Sequence, residues 1–377
     1  MDPSRRPGTP SIPPVVRALL VVFFLYLFLV GVALLEAGIA GLGKGFQAGL
    51  LESVSNPISG LCAGILATVM VQSSSVSTAT IVGMVGAGTL PLALAVPMIM
   101  GANIGTTVTS TLAALGSIRR AEEFRRAFAA ATVHDFFNLL AVAILLPLEL
   151  ATGLLSRMAG GLTEMLLGSG VQTAEMGKSP IRAAVKLPVG WVECLLAPGG
   201  LTAFVLLGLG LALIFLALAL ITRNMRRLVA GGVERVMNRV IGSGGGAVGI
   251  LVGIGVTVAV QSSSITTSIL VPLVAAGVLT LPSAYPITLG ANVGTTITAL
   301  IASLAVVRPE GLTIALVHLL FNLVGIGILY PVPQVRLVPI RLAEALADAA
   351  VSRHRVVFAY TLTLFLVLPL LGVFLLQ

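Results

Sequence analysis

The sequence predicts an all-α polytopic membrane protein made of two inverted-topology repeats, and three observations predict it. The first is composition. Of 377 residues, 57% are hydrophobic and 10% are charged, with a mean hydropathy of +1.09; a soluble domain carries roughly a quarter charged residues. Long apolar runs point to helices rather than barrel strands, since each spanning segment must satisfy its own backbone. The second is repetition. VQSSS at 71–75 returns at 260–264, and GANIGTT at 101–107 returns as GANVGTT at 290–296, both 189 positions on. VHDFFNL at 133–139 returns as VHLLFNL at 317–323, now 184 positions on. The third is parity. Three full spans separate the two QSSS segments, so the second must enter the bilayer from the side opposite the first, an architecture that recurs in secondary transporters.

The elements follow in order. Residues 1–16 read as a disordered tail, with five prolines among the first 14. Full spans are expected at about 17–35, 91–114, 126–148, 201–222, 284–306, 311–331 and 356–376: seven spans besides two hairpins. The apolar run after Arg17 is too long for a signal-peptide core and lacks a small-residue cleavage site, so it reads as a retained first span. Segments 57–90 and 243–280 each have an apolar arm, the polar QSSS, and a second apolar arm. An arm of about 14 residues reaches roughly 21 Å as helix, short of a hydrocarbon core roughly 30 Å thick. Each segment therefore reads as a re-entrant hairpin turning at QSSS near the midplane, where polar backbone must line a cavity or be buried in protein. Repeat 1 is 17–149, with a broken helix at GANIGTT. Repeat 2 is 200–331, with a broken helix at GANVGTT. Residues 150–199 read as an external loop or small cap, 223–241 as an amphipathic helix in the interface, and 332–377 as a cytoplasmic segment followed by a final span outside the repeat.

Charge orients the chain. With the N-terminus inside, 16 of the 22 Lys and Arg fall on the cytoplasmic side, as the positive-inside rule asks. The C-terminus then lies outside. The pI near 10.3 is read as topology, not nucleic-acid binding. Cys62 and Cys194 form no disulfide framework and no metal spacing. The chain has no GxxxxGK[ST], HExxH or GxSxG, so ATP, zinc-hydrolase and serine-elbow chemistry lack their motifs. An intramembrane serine hydrolase would not need the serines twice, and no enzyme activity or cofactor is expected.

Each QSSS copy sits at the start of a hairpin's second arm, where free N–H groups and serine hydroxyls attract an anion. Two copies entering from opposite faces suit a compact oxyanion such as phosphate. The alternative is that the serines are small residues for helix packing. The GANxGTT segments weaken a helix and offer oxygens for a small cation, through Asn103 and Thr106 in the first copy and Asn292 and Thr295 in the second; a packing kink is the alternative. Asp135 is the acidic residue set well inside a span, and an intramembrane carboxylate marks an ion path by default. Asn138 lies one turn on, on the same face. Leu319 stands where the second repeat would place the acid. His134 and His318 read as hydrogen-bonded structural residues, with a proton role as the alternative, and Trp191 and Tyr330 as interfacial anchors.

At these motifs the sequence resembles the type II sodium–phosphate cotransporter family. The likeness runs through NPISGLCAGILATVMVQSSS (56–75), PMIMGANIGTT (97–107), EFRRAFAAATVHDFFNLLAVAILLPLE (123–149), VAVQSSSITTSILVPLVAAGV (258–278), YPITLGANVGTT (285–296) and HLLFNLVGIGILYPVP (318–333). The resemblance implies two re-entrant hairpins in an inverted repeat that moves phosphate, preferably divalent, with sodium. It implies that Gln72, Ser73, Ser74, Ser75, Gln261, Ser262, Ser263 and Ser264 line the phosphate site. It implies that Asp135 belongs to the sodium site tied to electrogenic transport, with Asn138, Asn292, Thr295, Thr298 and Asn322 at or near sodium. Departures from the family are Ala291 in place of a serine, GSIRRAEEF (116–124) without a Gln and an acid, a short central loop with one Cys, and a C-terminus that lacks a further helix. The short form looks bacterial.

The expectation is therefore an electrogenic sodium-coupled phosphate importer of the inner (plasma) membrane working by alternating access. Its partners are inorganic phosphate, sodium and the lipid bilayer, with no nucleic acid, and a homodimer is left open. The competing readings are another oxyanion (arsenate, sulfate, a dicarboxylate), proton in place of sodium, and a phosphate sensor that does not transport.

Overall fold

The computed structural model describes residues 13–43, 45, 56–168, 180–195, 200–241 and 246–375, with backbone alone at 229–241. Most of the expected tail (1–12) and parts of the segments at 46–55, 169–179, 196–199 and 242–245 lie outside the described residues. The described residues are helical without a strand. In order they form α1 (Pro14–Gly41), α2 (Pro57–Val71), α3 (Ser74–Gly86), α4 (Leu92–Gly105), α5 (Val108–Ala114), α6 (Ala121–Thr152), α7 (Leu154–Leu167), α8 (Pro180–Leu195), α9 (Gly200–Ile241), α10 (Gly246–Val260), α11 (Ser263–Ala275), α12 (Leu281–Ser303), α13 (Pro309–Leu329), α14 (Pro333–Ser352), α15 (Arg355–Leu362) and α16 (Leu368–Leu375). A π-helical turn, Thr363–Val367, joins the last two.

Among the described residues, six stretches are long and apolar enough to cross a membrane: Pro14–Gly41, Leu92–Ser117, Ala121–Thr152, Gly200–Leu228, Pro309–Leu329 and Arg355–Leu375. The seventh expected span is α12, which has 23 residues, or about 34 Å of helix. It is less apolar than those six because Asn292 and four threonines run through it. It is buried along almost its whole length, so protein rather than lipid surrounds those polar groups.

Both hairpins have the expected short arms, 15 and 13 residues in each, or about 22 and 20 Å. The first arm starts on an Asn56 capping box with Pro57 at the first helical position. It ends where Gln72 turns left-handed at φ 55°, and Gln261 does the same at φ 57°. These are the only non-glycine residues with positive φ among the described residues, a conformation costing about 1 kcal/mol or more. The glutamine offsets that cost locally. The Gln72 amide donates to Val69 O and its Oε1 accepts from Thr109; Gln261 donates to Val258 O and accepts from Thr298. Ser73 and Ser262 then cap the second arms through Val76 N and Ile265 N.

Packing follows the repeat. α2 lies on α4 as α10 lies on α12, α3 meets α13 as α11 meets α6, and α7 sits on α13 as α14 sits on α6. The GANxGTT glycines are among those that allow the closest of these approaches. A Cβ at Gly101 would stand 2.0 Å from Leu61 O, and one at Gly290 2.0 Å from Ile250 O. The glycines are thus the flat face on which the hairpin's first arm rests.

Two expectations are corrected. A break at GANxGTT holds for the first repeat, where α4 ends and α5 begins across Thr106 and Thr107. In the second repeat α12 runs through Gly290–Thr296 unbroken, with Thr295 and Thr296 bonding back to its own carbonyls. The segment 223–241 does not form a separate helix in the interface. It prolongs α9 without interruption, as expected for a stretch with no proline and several good helix formers. The central loop holds a cap, with α7 on α13 and α8 on α1. Glu149 fixes the start of α7 by accepting from Leu155 N at 2.6 Å and from Ser156.

Candidate functional site

The two QSSS turns share one cavity of about 640 Å³. Ser73–Ser75 and Ser262–Ser264 line it with both glutamines, and α9 closes the far wall with Phe215, Leu218, Ala219, Thr222, Arg223, Arg226 and Arg227. Helix geometry leaves the first N–H groups of α3 and α11 without intrahelical acceptors, and both helix starts face this space with their positive ends. Ser74, Ser75 and Ser263 are buried, whereas Ser73, Ser262 and Ser264 are half-buried. Each glutamine amide nitrogen is engaged on its own hairpin arm, so within the two turns the serines and backbone N–H groups are the donors that face a ligand. Among the described residues, no acid lines this cavity.

A second polar region lies in the core where the repeats meet. Asn292 donates to Asn138 Oδ1 at 2.9 Å, and Asn138 donates to Asn103 O at 2.9 Å. His134 bonds Asn292, and His318 reaches Asn103 at 3.4 Å. These two histidine–asparagine contacts are repeat equivalents, each crossing from one half to the other. Asn322 donates to His318 O at 3.0 Å and leaves its Oδ1 without a partner among the described residues.

Asp135 is wholly buried. Tyr360 donates to its Oδ2 at 2.8 Å, and the Thr107 hydroxyl lies beside the carboxylate at the break between α4 and α5. Its Oδ1 has no hydrogen-bond partner among the described residues. A buried oxygen of that kind is costly unless something binds it.

The expected cation ligands therefore divide. Asn103, Asn138 and Asn292 come together in the core network, and Asn322 joins it through His318. Asp135 sits with Thr107 and Tyr360. Thr106 and Thr295 bond to carbonyls of their own helices. Thr298 supports Gln261 on the anion side. Reasoning from sequence missed Thr109, Tyr360 and the arginines of α9. Thr109 was detectable, since it precedes Thr298 by the same 189 positions. Tyr360 lies outside the repeat and carried no signal.

Two hairpin tips on one cavity, beside a polar core shared by two related halves, define a multi-pass helical membrane protein of the re-entrant, internally repeated class. Residues 27–173 and 205–341 match the Na+/Pi-cotransporter family, and the chain belongs to that family. It is 35% identical over 423 residues to sodium-dependent phosphate transport protein 2A of Ovis aries, covering 93% of this chain and 66% of the relative. It is 33% identical over 445 residues to sodium-dependent phosphate transport protein 2B of Homo sapiens, covering 94% of this chain and 64% of the relative. The chain thus spans just under two thirds of the length of these relatives. No solved structure matches it.

Proposed function

We propose that this chain is an electrogenic sodium-coupled symporter of inorganic phosphate, working by alternating access in the bacterial inner membrane, with its N-terminus inside and C-terminus outside. The observation that carries the reading is that both QSSS turns, far apart in sequence, line a single cavity with no acid among its described lining residues. Phosphate binds there to the serine hydroxyls and the first N–H groups of α3 and α11, with Gln72 and Gln261 setting the turns. Sodium takes the free Oδ1 of Asp135 near the break after Gly105, and the amides of Asn103, Asn138, Asn292 and Asn322 supply further oxygens. The threonines at 106, 295 and 298 hold the helices and the second hairpin around these groups. Sodium bound first lowers the cost of bringing a dianion into a low-dielectric interior. Because hairpin, core and cavity are built from both halves, tilting one hairpin against the other exposes the cavity to one side at a time.

The deciding experiment is uptake of labelled phosphate into proteoliposomes carrying this chain. An inward sodium gradient stimulates uptake, and a potassium gradient does not; equal uptake under both sinks the proposal. Competition by arsenate and sulfate separates phosphate from other oxyanions. A protein that binds phosphate without accumulating it is a sensor.

A further inference from the structure

We infer that Arg223, Arg226 and Arg227 form an anion-collecting mouth to the phosphate cavity, a second cluster of positive groups through which phosphate enters or leaves on one side. The inference rests on the phosphate reading above and adds residues outside the repeated motifs. The three arginines lie one helical turn or less apart, and 223, 226 and 227 share a face of α9. That face is graded. Phe215, Leu218 and Ala219 stand near the hairpin tips, Thr222 follows, and the guanidinium groups come last, all on the wall of one cavity. All three arginines are exposed. The ion pairs among the described residues are Arg120–Glu123 and Arg125–Asp348, so none of the three is neutralised there. A cavity of low-dielectric walls lined by one sign of charge raises the local concentration of an oppositely charged ligand.

A second polar cavity shows a contrast. Near the C-terminal end of α1, Glu36, Glu193 and Glu310 line a cavity with Lys186 and Arg308, so acids and bases mix. The described charged residues on the QSSS cavity are thus all cationic, whereas those on this second cavity are of both signs. A divalent phosphate is held at the arginine mouth more strongly than a monovalent anion of the same size.

The test is equilibrium binding of labelled inorganic phosphate to the full purified chain in detergent, measured at fixed sodium over a range of added choline chloride. In the wild type the half-saturating phosphate concentration rises with salt, because exposed cations act through a screened field. Arg226→Gln with Arg227→Gln raises half-saturation roughly ten-fold at low salt and flattens the salt dependence. Arg226→Lys with Arg227→Lys keeps the slope. Ser74→Ala weakens binding at every salt concentration without changing the slope. Should the double Gln variant be poorly folded, Arg223→Gln alone gives a smaller flattening. An unchanged slope in the Gln variants, equal behaviour of Gln and Lys variants, or no phosphate binding by any of them overturns the inference. Salt-dependent binding without sodium-driven uptake defeats the transport reading and leaves this one standing. Normal uptake with identical slopes does the reverse.

Discussion

In the first repeat the helix bearing GANIGTT stops at Gly105, turns through Thr106 and Thr107, and restarts; in the second, the helix bearing GANVGTT continues for 23 residues. The same positions then diverge in charge. The first repeat places Asp135 beside its break, with Tyr360 of the final span donating to it; the second has Leu319. Elsewhere the halves agree closely. Both turn on a left-handed glutamine, cap the second arm with a serine, rest on glycine, and send a histidine across to the other half's asparagine. The shared features concern backbone geometry, which a two-fold design can use twice. The divergent ones concern charge: a buried carboxylate stands in the first half and a leucine at the matching position of the second.

This comparison can be broken in several ways. The largest effect is expected from Gly101→Ala and Gly290→Ala, where the new Cβ meets a backbone oxygen at 2.0 Å. Each destabilises the fold by about 3 kcal/mol or more, seen as a lowered thermal midpoint in detergent. A large loss from one and none from the other ends the claim that the halves pack alike. Asp135→Asn comes next. It removes the buried charge, weakens sodium dependence by about thirty-fold or more, and reduces charge moved per phosphate in electrical recordings on proteoliposomes. Normal current per phosphate with this variant removes Asp135 from its assigned role.

Ser74→Ala and Ser263→Ala sharpen the symmetric side. Each deletes one hydroxyl from the shared cavity and raises the phosphate concentration for half-maximal uptake roughly ten-fold, as expected for a hydrogen bond to a charged group. No change from either favours the packing role for these serines. The smallest effect belongs to Tyr360→Phe. Losing one donor to Asp135 costs about 1 kcal/mol, or about five-fold in apparent sodium affinity, with phosphate affinity little altered. A matching shift in phosphate affinity instead places Tyr360 in the phosphate path.

Much of this was legible in the chain. The hairpins could be read because their arms are too short to cross and because the polar turn recurs; they were expected at 57–90 and 243–280, and their helices run over Pro57–Gly86 and Gly246–Ala275. The unbroken α12 was not legible, because glycines and threonines that loosen a helix in isolation are tolerated when neighbouring helices bury it on all sides. The continuous α9 was misread for a related reason: a change from apolar to basic composition marks a change of solvent, not an end of helix.

Which residues meet across the fold is the part that local sequence does not encode. Apolar content, the repeated motifs, the odd count of spans between the hairpins and the clustering of basic residues follow from residue identity and order alone, because helix length, backbone satisfaction and charge asymmetry act locally along the chain. That Tyr360 donates to Asp135, that Asn292 reaches Asn138 across 154 positions, and that three arginines of α9 look into the same cavity as six serines depend on how helices distant in sequence pack. Those contacts are set by glycine-mediated close approach and by buried polar groups finding partners. Both are properties of the assembled bundle rather than of any one segment.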